Sequence, residues 1–185
     1  MGVPLKRMTV DAFLVWEESQ LGRHEFYRGE IFAMVGATAR HNRVILNLAG
    51  RIADHLDTGP YQVFAESMKV RVAEGILYPD VVVACDKAQA GDEQVIASPR
   101  LIIEVLSPST RGYDKRDKFA LYRSLSSLTE YALIDPSNFS VEVFTRTGQD
   151  AWAFVDQTAA QALTLCSIDL EIPLDQGFRG VQRAD

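Results

Sequence analysis

Cysteine is scarce in this chain. Only Cys85 and Cys166 occur among 185 residues, far apart and in no metal-ligand spacing, so nothing suggests a fold held by cysteines. Cys85 follows an apolar run and reads as a reduced, buried, inert thiol. Long hydrophobic runs are missing too. None approaches the roughly 20 residues that a membrane span requires, so no membrane association is expected. The opening MGVPLKRMTVDAF interrupts its apolar residues with Lys6, Arg7 and Asp11, unlike a secretory leader, and the expected compartment is the cytoplasm. Positive charge is also in deficit. A net charge of −6 argues against a broad basic surface that coats nucleic acid, although a local basic patch remains compatible with it. No repeat, low-complexity segment or linker divides the chain, and the expectation is a single domain over residues 1–185.

What is present is a large apolar fraction, 47%, enough to bury a core without disulfides or a structural metal. Thr9 can cap a short helix carrying Phe13, Leu14 and Trp16. Residues 24–36 alternate around Arg28-Gly29 and predict a hairpin. Over residues 40–56, Val44, Leu48, Ile52 and Leu56 recur every four positions, the mark of an amphipathic helix with one buried face. Residues 61–72 predict a strand or strand pair whose parity changes near Glu66-Ser67, at a bulge or short turn. Residues 78–85 and 101–106 predict two almost wholly apolar strands, joined by a polar connection over 86–99. Residues 114–125 predict a helix and 131–134 a further strand, ended by Asp135-Pro136. A last hairpin turns at Thr147-Gly148. The order is helix, three strands, helix, strand. That gives an α/β core over about 40–135, with an N-terminal helix and hairpin at 9–36 and a β extension at 137–175. Strands apolar on both faces imply a sheet covered on both sides.

Within that pattern Glu104 is out of place. Alternation puts Ile102, Glu104 and Leu106 on one strand face, and Leu101, Ile103 and Val105 on the other. An ionised carboxylate there is costly unless it is paired or bound to a cation. Asp80 opens the other apolar strand. If the two strands are neighbours, both acids converge at one end of the sheet, and a divalent cation resolves their repulsion. Oxygen-only ligands favour Mg²⁺ or Mn²⁺ over zinc. The plainer reading gives each acid a nearby Arg or Lys, or a wet sheet edge.

Pro79-Asp80, then Glu104-Val105-Leu106 and a charged helix, resembles the PD-(D/E)XK, or restriction-endonuclease-like, nuclease superfamily. The longer run PDVVVACD … LIIEVLSPSTRGYDKRDKFALYRSL … LTEYALIDP is similar to the Uma-type family of endonucleases, as is HEFYRGEIFAM followed by a helix led by His41. The likeness extends over about residues 8–144. It implies a restriction-endonuclease-like core and a Mg²⁺-dependent endonuclease hydrolysing DNA, with Asp80 and Glu104 as metal ligands. The superfamily's lysine normally stands two residues after the acid, where this chain has Leu106.

The Uma-type pattern implies that the lysine has moved to the following helix, as Lys118. The plainer reading of Lys118 is an exposed pair with Asp114, worth about 0.3–0.5 kcal/mol. Asp114 itself reads as a helix N-cap rather than a ligand, and Tyr122 as core. Lys69 is the second candidate lysine. Glu30 and His41 are the upstream residues that the superfamily's pattern suggests for an additional acid and a carboxylate or phosphate partner. His24 and His55 are left to surface or packing roles. Around the helix, Arg111, Lys115, Arg116, Lys118 and Arg123 face Asp114 and Asp117, a local excess of three positive charges. Arg111, Lys115 and Arg116 would border the site and hold a phosphate backbone; the alternative is an ordinary solvated helix face. No interleaving of aromatic and basic residues marks a single-strand stacking groove. Nucleases that cut both strands often pair, and the apolar residues at 152–155 offer a surface for a homodimer. The rival reading is an inactive module on the same fold that binds nucleic acid or protein, with Leu106 marking lost catalysis.

Overall fold

The two apolar strands do pair, and around them the sheet is built. In the computed structural model, which describes residues 8–34, 36–85, 94–108 and 111–183, the elements begin with α1 (Val10–Glu17), β1 (His24–Tyr27) and β2 (Glu30–Ala33). The chain continues through α2 (Ala39–Leu56), β3 (Gln62–Ala65), β4 (Lys69–Val72), β5 (Gly75–Leu77), β6 (Val81–Ala84), β7 (Val95–Ile96) and β8 (Pro99–Val105). A helical stretch follows, formed by α3 (Arg111–Tyr113), a π-helical turn (Asp114–Lys118) and α4 (Phe119–Tyr122). Then come β9 (Glu130–Asp135), β10 (Ser140–Arg146), β11 (Trp152–Asp156), β12 (Ala162–Leu165), β13 (Leu170–Pro173) and α5 (Leu174–Gly177). The leader reading at residues 1–7 and most of the 86–99 connection lie outside the described residues. Among the described residues no helix is long and apolar enough to cross a membrane.

The central sheet has the order β11-β10-β9-β8-β6-β3, with β8 and β9 parallel and the other neighbours antiparallel. β6 and β8 read as unbroken apolar runs because both of their faces are covered. One face presents Val81, Val83, Leu101 and Ile103 to Val44, Ile45, Leu48 and Ile52 of α2. The other presents Val82, Ile102, Leu106 and Leu133 to Tyr122 and Leu128. α2 begins where Thr38 accepts a hydrogen bond from the His41 amide at 3.3 Å. Across this arrangement run helix, three strands, helix and strand: α2, β3, β6 and β8, the 111–122 helix, and β9. The core is of the restriction-endonuclease-like type.

A second sheet, β2-β1-β5-β4-β7, was only partly legible. The parity change at Glu66-Ser67 is more than a bulge. Glu66 takes a left-handed conformation (φ 59°), β3 ends, and β4 starts in the other sheet. Tyr78, Pro79 and Asp80 bring the chain back, between the end of β5 and the start of β6. The N-terminal hairpin turns as expected, with both Arg28 and Gly29 at positive φ, as a two-residue hairpin of this handedness requires. Gly75 is the position where only glycine fits, since a Cβ there would lie 2.3 Å from the Phe26 carbonyl oxygen. One expectation fails at the end of β6: Cys85 follows the last paired residue and is exposed, not buried, as is Cys166.

Candidate active site

The register that pairs Val81 with Ile103 and Val82 with Ile102, carried one residue further, sets Asp80 opposite Glu104. The two acids therefore meet at one end of the central sheet, on the face turned towards the 111–122 helix. Asp80 is fixed there by its neighbours. Its Oδ2 accepts a hydrogen bond from the Val105 amide at 2.7 Å and lies 3.3 Å from Nε2 of His41. Burial works against charge on His41, but the hydrogen bond and the charge of Asp80 outweigh it and raise the imidazole above its ordinary pKa. His41 does not cap α2, a role that falls to Thr38.

Lys118 arrives from the helix. Its Nζ lies 3.2 Å from Oε1 of Glu104, 2.9 Å from Oε1 of Glu25 and 3.7 Å from Oδ1 of Asp114, and it donates to the Tyr78 carbonyl at 3.3 Å. Asp114, Lys118 and Tyr122 are all buried, spaced four apart through the π-helical turn. Such turns recur at functional sites. The Tyr131 hydroxyl pins this turn by donating to the Asp114 carbonyl at 2.9 Å. Leu106, in the position of the motif lysine, is buried in the hydrophobic cluster beneath, and among the described residues the ammonium beside Glu104 comes from the helix.

Burial comes first among the influences on Glu104 and pushes its pKa well up. Lys118 opposes this, while Asp80, Asp114 and Glu25 add to it. For Lys118 burial disfavours the charge, but Glu104, Glu25 and Asp114 overcome it and hold the ammonium well above its usual range. Three carboxylates, Glu25, Glu104 and Asp114, thus surround one lysine, and Asp80 stands beside Glu104. That excess of negative charge fits a bound cation. Among the described residues no three His, Cys, Asp or Glu side chains converge in coordinating geometry, so Asp80 and Glu104 would supply two ligands only. This suits Mg²⁺, which commonly takes one or two carboxylates and completes its shell with water and phosphate oxygens.

The other sequence candidates are placed as follows. Glu30 is exposed and does not line the cleft. It pairs with Tyr27, two residues (about 7 Å) along β1 from the position that points inward. The N-terminal acid in the site is instead Glu25, buried and accepting from the Tyr78 amide at 2.9 Å. Lys69 donates to Gln94 at 2.8 Å and lies over the Tyr78 ring, outside the cleft lining. Asp114 is not an N-cap, because α3 precedes it; it is a site acid. Arg111 is ion-paired with buried Asp135, and Lys115 with Glu142 at 2.6 Å, whereas Arg116 is exposed and reaches only the Gly112 carbonyl. Two of the three expected phosphate contacts are therefore already neutralised by β9 and β10.

Glu25, His41, Asp80, Glu104, Asp114 and Lys118 line the floor of a cleft of about 590 Å³. Its rim carries Phe32 and Met34 of the N-terminal hairpin, with Tyr113 from the helix and Arg23. Of these, nothing beyond the hairpin itself was legible in the sequence.

The comparisons with known proteins agree with this architecture. The family model Uma2, described as "Putative restriction endonuclease", matches residues 10–175. Two uncharacterized proteins of Synechocystis sp. are similar: slr1290 is 32% identical over 180 residues, covering 96% of this chain and 95% of that one. The other, sll1609, is 35% identical over 155 residues, covering 82% and 88%. A crystal structure from Anabaena variabilis, titled as a putative nuclease belonging to DUF820, superposes with a TM-score of 0.74 at 18% identity, covering 92% of this chain and 97% of that one. At that identity the likeness speaks for the fold alone. With the family model spanning nearly the whole sequence, the chain belongs to the Uma2 family of restriction-endonuclease-like proteins.

Proposed function

We propose that the protein is a divalent-metal-dependent endonuclease that hydrolyses phosphodiester bonds of DNA, with Asp80 and Glu104 as metal ligands and Lys118 as the catalytic lysine. The observation that carries this is the convergence of Asp80, Glu104 and the Lys118 ammonium on one recessed floor, although Lys118 comes from a different element than the motif lysine. A divalent cation bound there supplies Lewis-acid polarisation of the phosphate and a more acidic water. The chain's own part is positional and electrostatic. Val105 and His41 hold Asp80 in place; Glu25 and the Tyr78 carbonyl hold Lys118 beside Glu104. From there the ammonium can orient a water and offset charge that builds on the phosphoryl oxygens. We further propose that a second copy would pair through β11, an edge strand with Phe154 and Val155 exposed.

One observation favours the rival reading, a binding module without activity: Glu104 already has an ion-pair partner in Lys118. Cleavage of supercoiled plasmid with Mg²⁺ or Mn²⁺ separates the two, with Glu104→Ala purified in parallel and its fold checked by circular dichroism. Metal-dependent nicking that disappears in the variant supports the nuclease. A folded wild type that binds DNA, yet is as inert as Glu104→Ala in both metals, supports the module.

A further inference from the structure

The cleft has the wrong electrostatics for an intact duplex. Its lining carries five carboxylates, Glu25, Glu66, Asp80, Glu104 and Asp114, against three basic side chains, Arg23, His41 and Lys118. Arg23 already donates to the Glu66 carbonyl, and Lys118 is engaged with the acids of the floor. On the flank, Arg111 and Lys115 are held by Asp135 and Glu142. A duplex presents one phosphate charge per about 1.7 Å of axis, and a single strand half that density. Even with a divalent cation on Asp80 and Glu104, the recessed floor would have no excess of positive charge to receive a double row of phosphates. Depth adds to this, because Glu104 is only 2% exposed and Lys118 6%.

In place of positive charge the rim offers aromatic surface. Phe32 comes from the N-terminal hairpin and Tyr113 from the helix, and their ring centroids lie 6.4 Å apart at 35°. Phe32 is 43% exposed and Met34, on the same strand face, 39%. Burial, then the charge of Glu25, push the Tyr113 phenol up, so that ring remains neutral. Linear order concealed this pair, since the two residues are far apart in the sequence and meet only through the docking of the N-terminal hairpin.

We propose that the strand this cleft takes is unpaired, with the nucleobase next to the recessed floor lying on Phe32 and Tyr113. The proposal rests on the nuclease reading for its site but is tested through binding. Labelled single-stranded DNA and the same sequence as a duplex are titrated with protein in Ca²⁺ and followed by anisotropy. The single strand is expected to bind more tightly. Phe32→Ala should weaken it by roughly 5- to 150-fold, the usual range for one base–aromatic contact. Tyr113→Leu should act in the same direction, and Leu46→Ala, an exposed apolar residue on α2 outside the cleft, should leave affinity unchanged. With few cations available, log K should fall with log salt at a slope no steeper than about −1.4, as for two phosphate contacts to a single strand. Equal or tighter binding of the duplex overturns the proposal, as does an identical response to Phe32→Ala and Leu46→Ala. The two readings fail separately. Metal-dependent plasmid nicking without single-strand preference removes this inference and keeps the nuclease; single-strand preference lost in Phe32→Ala, without cleavage of plasmid or of the single strand in either metal, does the reverse.

Discussion

Replacing Lys118 with methionine tests the site most directly, because length is kept and only the charge is lost. In the wild type this ammonium lies within 4 Å of Glu25, Glu104 and Asp114, all buried. Removing it leaves those carboxylates without their common cation. Breaking a buried pair in this way costs about 3–5 kcal/mol. For a chain of this size each kcal/mol moves the melting temperature by about 2–4 °C, so the drop should be roughly 6–20 °C. Thermal melts at pH 8 in EDTA measure it. The deficit should shrink at pH 5, since Glu104, already raised by burial and now relieved of Lys118, takes up a proton more readily. Mg²⁺ provides the sharper reading. If the acids form a cation site, Mg²⁺ at one hundred times its dissociation constant returns about 2.7 kcal/mol, and the gain in Lys118→Met should equal or exceed that in the wild type. Should the variant not fold, Glu25→Gln/Lys118→Met removes one uncompensated acid and should recover part of the loss, with a coupling of about 1–3 kcal/mol. Plasmid nicking should fall by about 10²–10³, the usual cost of losing one electrostatic contact to the transition state. A melting temperature within about 2 °C of wild type, or no Mg²⁺ response in either protein, would refute the reasoning.

Three further outcomes follow from the same structure. Glu104→Gln should abolish activity while raising the melting temperature at pH 8 by about 2–4 °C, the equivalent of roughly 1 kcal/mol. Its sign with pH is fixed: a carboxyl raised in the folded state loses stability as pH climbs from its ordinary 4.5 through its folded pKa, so the variant's advantage should fade below about pH 4.5. Thr38→Ala should cost about 1 kcal/mol by uncapping α2, and a denaturant titration with unchanged slope would show it. Gly75→Ala forces a Cβ against the Phe26 carbonyl and should lower the denaturation midpoint by the equivalent of 1–3 kcal/mol or about that, with soluble yield falling in parallel.

The residues that the sequence revealed share one property: their meaning is carried by neighbours a few positions away. Asp80 and Glu104 stood out because each interrupts an apolar strand, and antiparallel pairing then brought them together. Lys118 was found through its spacing from Asp114 and the Uma-type pattern. Glu25 stayed hidden beside Glu30, since choosing between them depends on hairpin register and on how β1 meets β5. The basic helix misled for a related reason. Counting charges along residues 111–123 cannot see Asp135 and Glu142, which reach Arg111 and Lys115 from strands later in the chain. Cys85 shows the limit of reading burial from an apolar run, because the run outlasts the strand by one residue.

The crossing at Tyr78 has a further consequence. Its amide belongs to Glu25 and its carbonyl to Lys118, while Leu77 ends β5 of one sheet and Val81 begins β6 of the other. The assembled floor is thus a readout of whether the two sheets are docked. Partial opening that lifts β1 and β5 away would strip Lys118 of an acid and a carbonyl while the central sheet stayed folded. Cooperative units of this kind open at free energies below global unfolding. In mild denaturant, amide exchange in β1, β4 and β5 should therefore rise in step with the loss of activity, ahead of exchange in β6, β8 and β9.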